Sequence, residues 1–287
     1  MKGKCGIPLF AVVFLTAASC GGGSGTGGNA KSITIKGSDT MVILGQRWAE
    51  TYMGLHPNMC IQVTGGGSGT GIAALINGGT DICEASRPMK DKEKEQVRQR
   101  HGKDVDVKEI PVAMDGVAIY VNDASPIKEL SPAQLKAIYT GKLTNWRDVG
   151  GKDERIVPYS RENNSGTYVF FKEHVLNNED FAREVQTLPG TAAVVNAVSK
   201  DPASIGYGGI AYAQGIRAVP IKRDDASAAV HPSLETVQSG QYPLSRNLFF
   251  YTIGEPTGDV KAFVDWVLGP EGQKICEMVG YYSLVRK

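Results

Sequence analysis

Net charge is nearly absent from this sequence. Lysine and arginine number 31 against 30 aspartates and glutamates, a formal +1. The chain therefore presents no general field for nucleic acid or an anionic membrane. Histidine is scarce, and His56, His101, His174 and His231 show no metal-ligand spacing, so no metal is expected. The glycine loop at residues 65–71 lacks the following lysine of a nucleotide P-loop. Gly69-x-Gly71-x-x-Ala74 fits the dinucleotide fingerprint only in its Ala-ended form, and Gly66-Gly67-Ser68-Gly69-Thr70 lacks the last glycine of a nucleophile elbow. Neither a nucleophile with its base nor a metal cluster is visible, so no enzymatic activity and no cofactor are expected. What is present is ordinary globular material, 41% hydrophobic and 21% charged, which excludes wholesale disorder. It also has 35 glycines, well above the average share of roughly 7%.

The apolar run at residues 7–18 is too short to span a bilayer, and it follows Lys2 and Lys4 and ends in small residues. Residues 1–19 have the layout of a signal peptide. The cleavage region abuts Cys20, as in the lipobox of bacterial lipoproteins, although Ala17 stands where leucine is usual. Cys20 is the expected lipidation site. Residues 20–31, rich in glycine, read as a flexible tether. Losing Lys2 and Lys4 leaves 29 basic against 30 acidic residues, so a small anion must be captured locally rather than steered by net charge. An extracytoplasmic location follows, in the periplasm or at the cell surface, held to the membrane by lipid. Cys60, Cys83 and Cys276 remain, an odd number. Cys60 and Cys83 cannot pair if another strand lies between them, and their pairing stays open.

From residue 32 onward short β-prone runs are each followed by a glycine or serine turn and a helical stretch, the pattern of a parallel α/β sheet. Met41, Leu44, Trp48 and Tyr52 recur at helical spacing before Pro57, and residues 91–101 form a charged, solvent-facing helix. We read two α/β lobes, with residues 32–113 and 249–287 forming lobe I and residues 114–248 forming lobe II. The strands that cross between them would be the hinge. A single larger sheet is the alternative.

The chemistry lies in four segments: Gly37-Ser38-Asp39-Thr40, the glycine loop with Ser68, Ala85-Ser86-Arg87-Pro88, and the turn from Ser160 through Arg161 to Ser165-Gly166-Thr167. Each follows a predicted strand and opens a predicted helix. A helix start offers unpaired N–H groups and the positive end of the macrodipole, a ready anion site. Hydroxyls add donors, and Arg87 and Arg161 can make bidentate bonds to a tetrahedral oxyanion. In an open α/β sheet such turns gather at the carboxyl ends of the strands. Each turn alone is as well explained by N-capping.

Those segments, in that order, resemble the substrate-binding lipoprotein family of the bacterial phosphate ABC importer. Arg161-x-x-x-Ser165-Gly166-Thr167 is the most specific motif, joined by the stretch TGKLTNWRDVGG. The resemblance implies a two-lobed type II periplasmic binding protein fold, inorganic phosphate as ligand, ABC permease subunits as partners and a monomer. It also implies donors from Asp39, Thr40, Ser68, Ser165, Gly166 and Thr167, with Arg161 as the charged partner. Ser38 and Ser86 complete the candidate set. In well-known members of the family a carboxylate follows the Ala-Ser of the third turn and accepts the proton of monohydrogen phosphate; here that place is Arg87. Asp39 is expected to take over this role, with Arg87 offsetting its charge. Sulfate, molybdate or tungstate as the ligand, a phosphate sensor, and a phosphoryl-handling enzyme remain alternatives.

Overall fold

The computed structural model describes residues 31–224 and 226–284; the predicted leader, Cys20 and nearly all of the tether lie outside the described residues. Strands and helices alternate through β1 (Lys31–Gly37), α1 (Val42–Leu55), β2 (Met59–Thr64), α2 (Ser68–Ile76), β3 (Ile82–Ala85) and α3 (Asp91–His101). The chain then runs along β4 (Val107–Val121), α4 (Pro132–Tyr139), β5 (Val157–Arg161), α5 (Gly166–His174), β6 (Gln186–Leu188), α6 (Gly190–Lys200), β7 (Ser204–Gly209), β8 (Arg217–Val219) and α7 (Leu234–Gln238). It returns on β9 (Ser245–Ile253) and ends with α8 (Gly258–Leu268) and α9 (Pro270–Val279).

The helices follow local rules. In α1, Leu44, Trp48 and Tyr52 fall on one stripe and are buried, each contributing about 1.5–3 kcal/mol by leaving water. In α3 only Val97 is buried, and most of its charged residues face solvent. Ser131 caps α4 by accepting from the Gln134 N–H, Gln134 Oε1 accepts from the Ser131 N–H, and Pro132 occupies the first turn, where its missing N–H costs nothing.

The strand order is β2-β1-β3-β9-β4-β7-β5-β6, with β8 also on β4. β1 therefore separates Cys60 from Cys83, and both, like Cys276, are free thiols. The expectation of a parallel sheet holds within each half, where β1 pairs parallel with β2 and β3, and β5 with β6 and β7. It fails at the centre, where β4 and β9 run antiparallel because one carries the chain out and the other brings it back. Their ladder slips register between Pro111 and Ala113. Pro111 has no N–H for a ladder bond, and such residues collect at irregularities.

Pairing is continuous along the sheet, yet the apolar side chains divide into two main cores. One gathers Ile33, Leu44, Trp48, Phe250, Phe263 and Tyr281, with Trp48 edge-on to Phe250 at 5.6 Å. The other gathers Val117, Tyr139, Trp146, Phe171 and Tyr207, with Phe171 stacked on Tyr207 at 4.0 Å. Helices α8 and α9 belong to the first core, where the Trp48 indole N–H donates to the Gly272 carbonyl at 2.8 Å. The result is a two-lobed α/β fold strung on β4 and β9.

Candidate functional site

The four turns meet at the seam between the lobes. Three rise from the carboxyl ends of β1, β2 and β3 in the first lobe, and the fourth follows β5 in the second. The hydroxyls of Ser38, Thr40, Ser68, Ser86 and Thr167 are all at most 1% exposed. Ser38 Oγ donates to Ser86 Oγ at 2.9 Å, and Ser86 Oγ lies 3.3 Å from Ser68 Oγ. The Ser86 N–H donates to Ser68 Oγ at 3.0 Å. Across the seam, Thr40 Oγ1 and Thr167 Oγ1 are 2.9 Å apart. Burying five hydroxyls is costly unless they are hydrogen-bonded, and here they largely satisfy one another.

Gly166 is the point of closest approach. A Cβ on it would fall 2.4 Å from Ser68 Oγ and 2.6 Å from Ser86 Oγ, so only glycine lets the second lobe come this near. Ser165 is the N-cap of α5, its hydroxyl accepting from the N–H groups of Thr167 and Tyr168 at 3.2 and 3.3 Å. At the rim, Asn164 spans the seam. Its Nδ2 donates to the Gly66 carbonyl at 2.9 Å, and its carbonyl accepts from the Gly69 N–H at 2.8 Å.

Asp39 and Arg161 form a salt bridge across the seam, Nη2 to Oδ2 at 2.8 Å, with Arg161 1% exposed. Asp39 Oδ1 also accepts from the Gly66 N–H at 2.8 Å, and Arg161 Nη1 donates to Thr191 Oγ1 at 2.6 Å. Burial pushes the Arg161 guanidinium below its ordinary value, and Asp39 opposes that shift. Arg161 Nε is a buried donor with no partner among the described residues.

Arg87 departs from expectation. Its two terminal nitrogens grip Glu93 bidentately, at 2.8 and 2.7 Å, and it does not offset Asp39. Glu93 stands in the first turn of α3, where it also accepts from the Lys90 N–H at 2.8 Å. A carboxylate fixed there as part of a capping box is the nearer partner for Arg87. The guanidinium that does join the hydroxyls is Arg246, absent from the sequence-based set. It is bound to Asp115 through Nε at 3.0 Å and Nη2 at 2.7 Å. The two residues face each other in the β4–β9 ladder. Asp115 is fully buried; burial raises its pKa while Arg246 opposes the rise. An acid in the apolar run of β4 was the available signal, since a buried charge demands a partner. Thr191, at the start of α6, carried no such signal.

Two tyrosines hold the first turn in place: Tyr212 donates to the Asp39 carbonyl at 2.7 Å and Tyr281 to the Thr40 carbonyl. Behind that turn, the Glu84 carbonyl accepts from the Ser38 N–H at 2.9 Å. The Glu84 carboxyl is fully buried and unpartnered among the described residues, and burial raises its pKa to about 8.

Two lobes on crossing strands, with hydroxyls and guanidinium groups enclosed between them, define a binding protein of the type II periplasmic class. The PBP superfamily domain, a family model, matches residues 22–271. The Phosphate-binding protein PstS of Staphylococcus haemolyticus is 36% identical, over 94% of this chain and 88% of its own length. That of Pseudomonas aeruginosa is 34% identical, over 92% and 85%. A Clostridium perfringens structure described as a phosphate ABC transporter substrate-binding protein with bound phosphate superimposes with a TM-score of 0.80 at 30% identity, covering 89% of this chain and 100% of that one. An ABC-type phosphate transport receptor from Vibrio cholerae superimposes with a TM-score of 0.69 at 26% identity, covering 87% and 99%. The chain belongs to the PBP superfamily and, within it, to the PstS phosphate-binding protein family.

Proposed function

We propose that this protein captures inorganic phosphate between its lobes and delivers it to an ABC permease. The observation that carries the reading is the convergence of five buried hydroxyls from four strand-to-helix turns on one seam, beside a buried arginine. Helix starts at Ser68 and Gly166 bring N–H groups and dipole ends to the same place. Arg161 would be the charged ligand. In an enclosed site each of these donors counts for more than it would in water.

Asp39 is suited to accept the proton of monohydrogen phosphate, because Arg161 rather than Arg87 neutralises it. Sulfate has no proton to offer, so the same carboxylate would repel it. Arg87, the one feature in favour of another oxyanion, is occupied by Glu93. Closure would be a hinge motion on β4 and β9, with residues 32–113 and 249–287 as one lobe and residues 114–248 as the other. The register slip beside Ala113 supports a bend there. Cys20, lipidated outside the cytoplasm, would keep a monomeric binding protein near its permease, without catalysis.

Calorimetry on the soluble domain from residue 32 onward is expected to show one phosphate per chain. Asp39→Asn is expected to relax selection of phosphate over sulfate in a competition titration. Binding of sulfate but not phosphate by the natural protein would overturn the reading.

A further inference from the structure

Arg246 reaches three of the four turns. Its Nη1 donates to the Ser86 carbonyl at 3.0 Å, and its Nη2 lies 3.0 Å from Thr167 Oγ1 and 3.5 Å from Thr40 Oγ1. Asp115 Oδ2 accepts from Nε and from that same Nη2, and the Phe170 ring lies 5.4 Å from the guanidinium carbon. Ser86 and Thr40 belong to one lobe and Thr167 to the other, while Arg246 and Asp115 sit on the strands that cross between them.

A guanidinium has five N–H donors and no acceptor. A hydroxyl that accepts from it must point its own hydrogen elsewhere. Thr167 Oγ1 has Arg246 on one side and the seam on the other, so its hydrogen turns into the seam; Thr40 Oγ1 is biased the same way from 3.5 Å. Left to themselves, two facing threonines share one hydrogen between them and present an acceptor as readily as a donor.

We propose that Arg246, held by Asp115, is a positioning residue that sets the polarity of the hydroxyl cluster, making Thr167 and Thr40 donors to the bound anion. This rests on the reading that the seam binds phosphate. Because Thr40 lies on the other lobe from Arg246 and Thr167, that polarity is complete only when the lobes meet. Anion binding and closure are thereby coupled through one side chain.

The test is a double-mutant cycle on the soluble domain, read by phosphate calorimetry. Arg246→Gln combined with Asp115→Asn removes both charges together and leaves no unpaired buried carboxylate; it is expected to weaken binding about tenfold to hundredfold. Thr167→Val is expected to weaken the natural protein about tenfold, and its penalty should shrink at least threefold in the Gln/Asn background, because an unoriented hydroxyl has less to lose. A Thr167→Val penalty that shrinks by less than threefold, or full affinity in the Gln/Asn protein, overturns the proposal. Should that protein fail to fold, Arg246→Lys decides. It keeps a cation on Asp115, but one ammonium cannot hold the fork to Asp115 and the hydroxyls together, so a loss of about tenfold is expected; natural affinity would refute the role. If the natural protein itself binds no phosphate, the proposed function fails rather than this assignment.

Discussion

Replacing Gly166 by alanine separates binding from folding with unusual clarity. The new methyl would stand 2.4 Å from Ser68 Oγ, 2.6 Å from Ser86 Oγ and 3.0 Å from Ser68 Cβ. All three belong to the opposite lobe, and the two oxygens are pinned by the Ser86 N–H and by each other. Forcing a methyl into so tight a contact costs about 1–3 kcal/mol, or about fivefold to hundredfold in affinity at 1.4 kcal/mol per decade. Within its own lobe the change is harmless. Gly166 opens α5 without a positive φ, and alanine is a better helix former by up to about 1 kcal/mol. Phosphate calorimetry is therefore expected to show weaker binding, while urea unfolding without phosphate shows an unchanged or raised midpoint. Affinity within twofold of the natural protein would mean that this close approach is not the binding arrangement. A large loss of stability would mean that Gly166 serves the fold instead.

Other perturbations have equally definite signs. Arg161→Met strands the Asp39 carboxylate at the seam and is expected to weaken phosphate binding at least about hundredfold by calorimetry; a smaller loss would remove Arg161 as the charged ligand. Glu84 has its folded pKa raised by burial to about 8 from an ordinary 4.5. The unfolded chain therefore ionises first, and stability is lost as pH rises between those values. Glu84→Gln is expected to flatten this decline and to gain more than about 1 kcal/mol at pH 8, read from denaturant midpoints; parallel pH profiles for the two proteins would refute it. Cys60 is exposed, whereas burial raises the thiols of Cys83 and Cys276, the latter to about 12. Intact mass after brief treatment with a thiol reagent should show one label on the native soluble domain and three after unfolding; a second native label would place one of the buried thiols in solvent.

Much of this architecture can be read from residue order. The stripe of Leu44, Trp48 and Tyr52, the charged run of α3 and the strand-turn-helix rhythm each depend on neighbours within a few positions, where propensity and periodicity operate. The four turns were legible for the same reason, since a hydroxyl after a strand and before a helix is a local pattern. What escaped was non-local. Arg246 and Asp115 are 131 residues apart and meet only because β4 and β9 pair. Thr191 reaches Arg161 through α6, a helix of small residues following a three-residue strand with no strong signal of its own. Arg87 misled because its place beside Ser86 suggested the seam, while Glu93, six residues on, holds it. Choosing between those two partners required the position of α3.

One oxyanion is expected to bind where the four turns converge. A crystal of the soluble domain grown with arsenate, the tetrahedral analogue of phosphate, locates the anion by its anomalous scattering. The expected result is a single strong peak within hydrogen-bond distance of the Thr40, Ser68 and Thr167 hydroxyls and of the Arg161 guanidinium. A peak elsewhere on the molecule, with those four groups bonded only to one another, would contradict it.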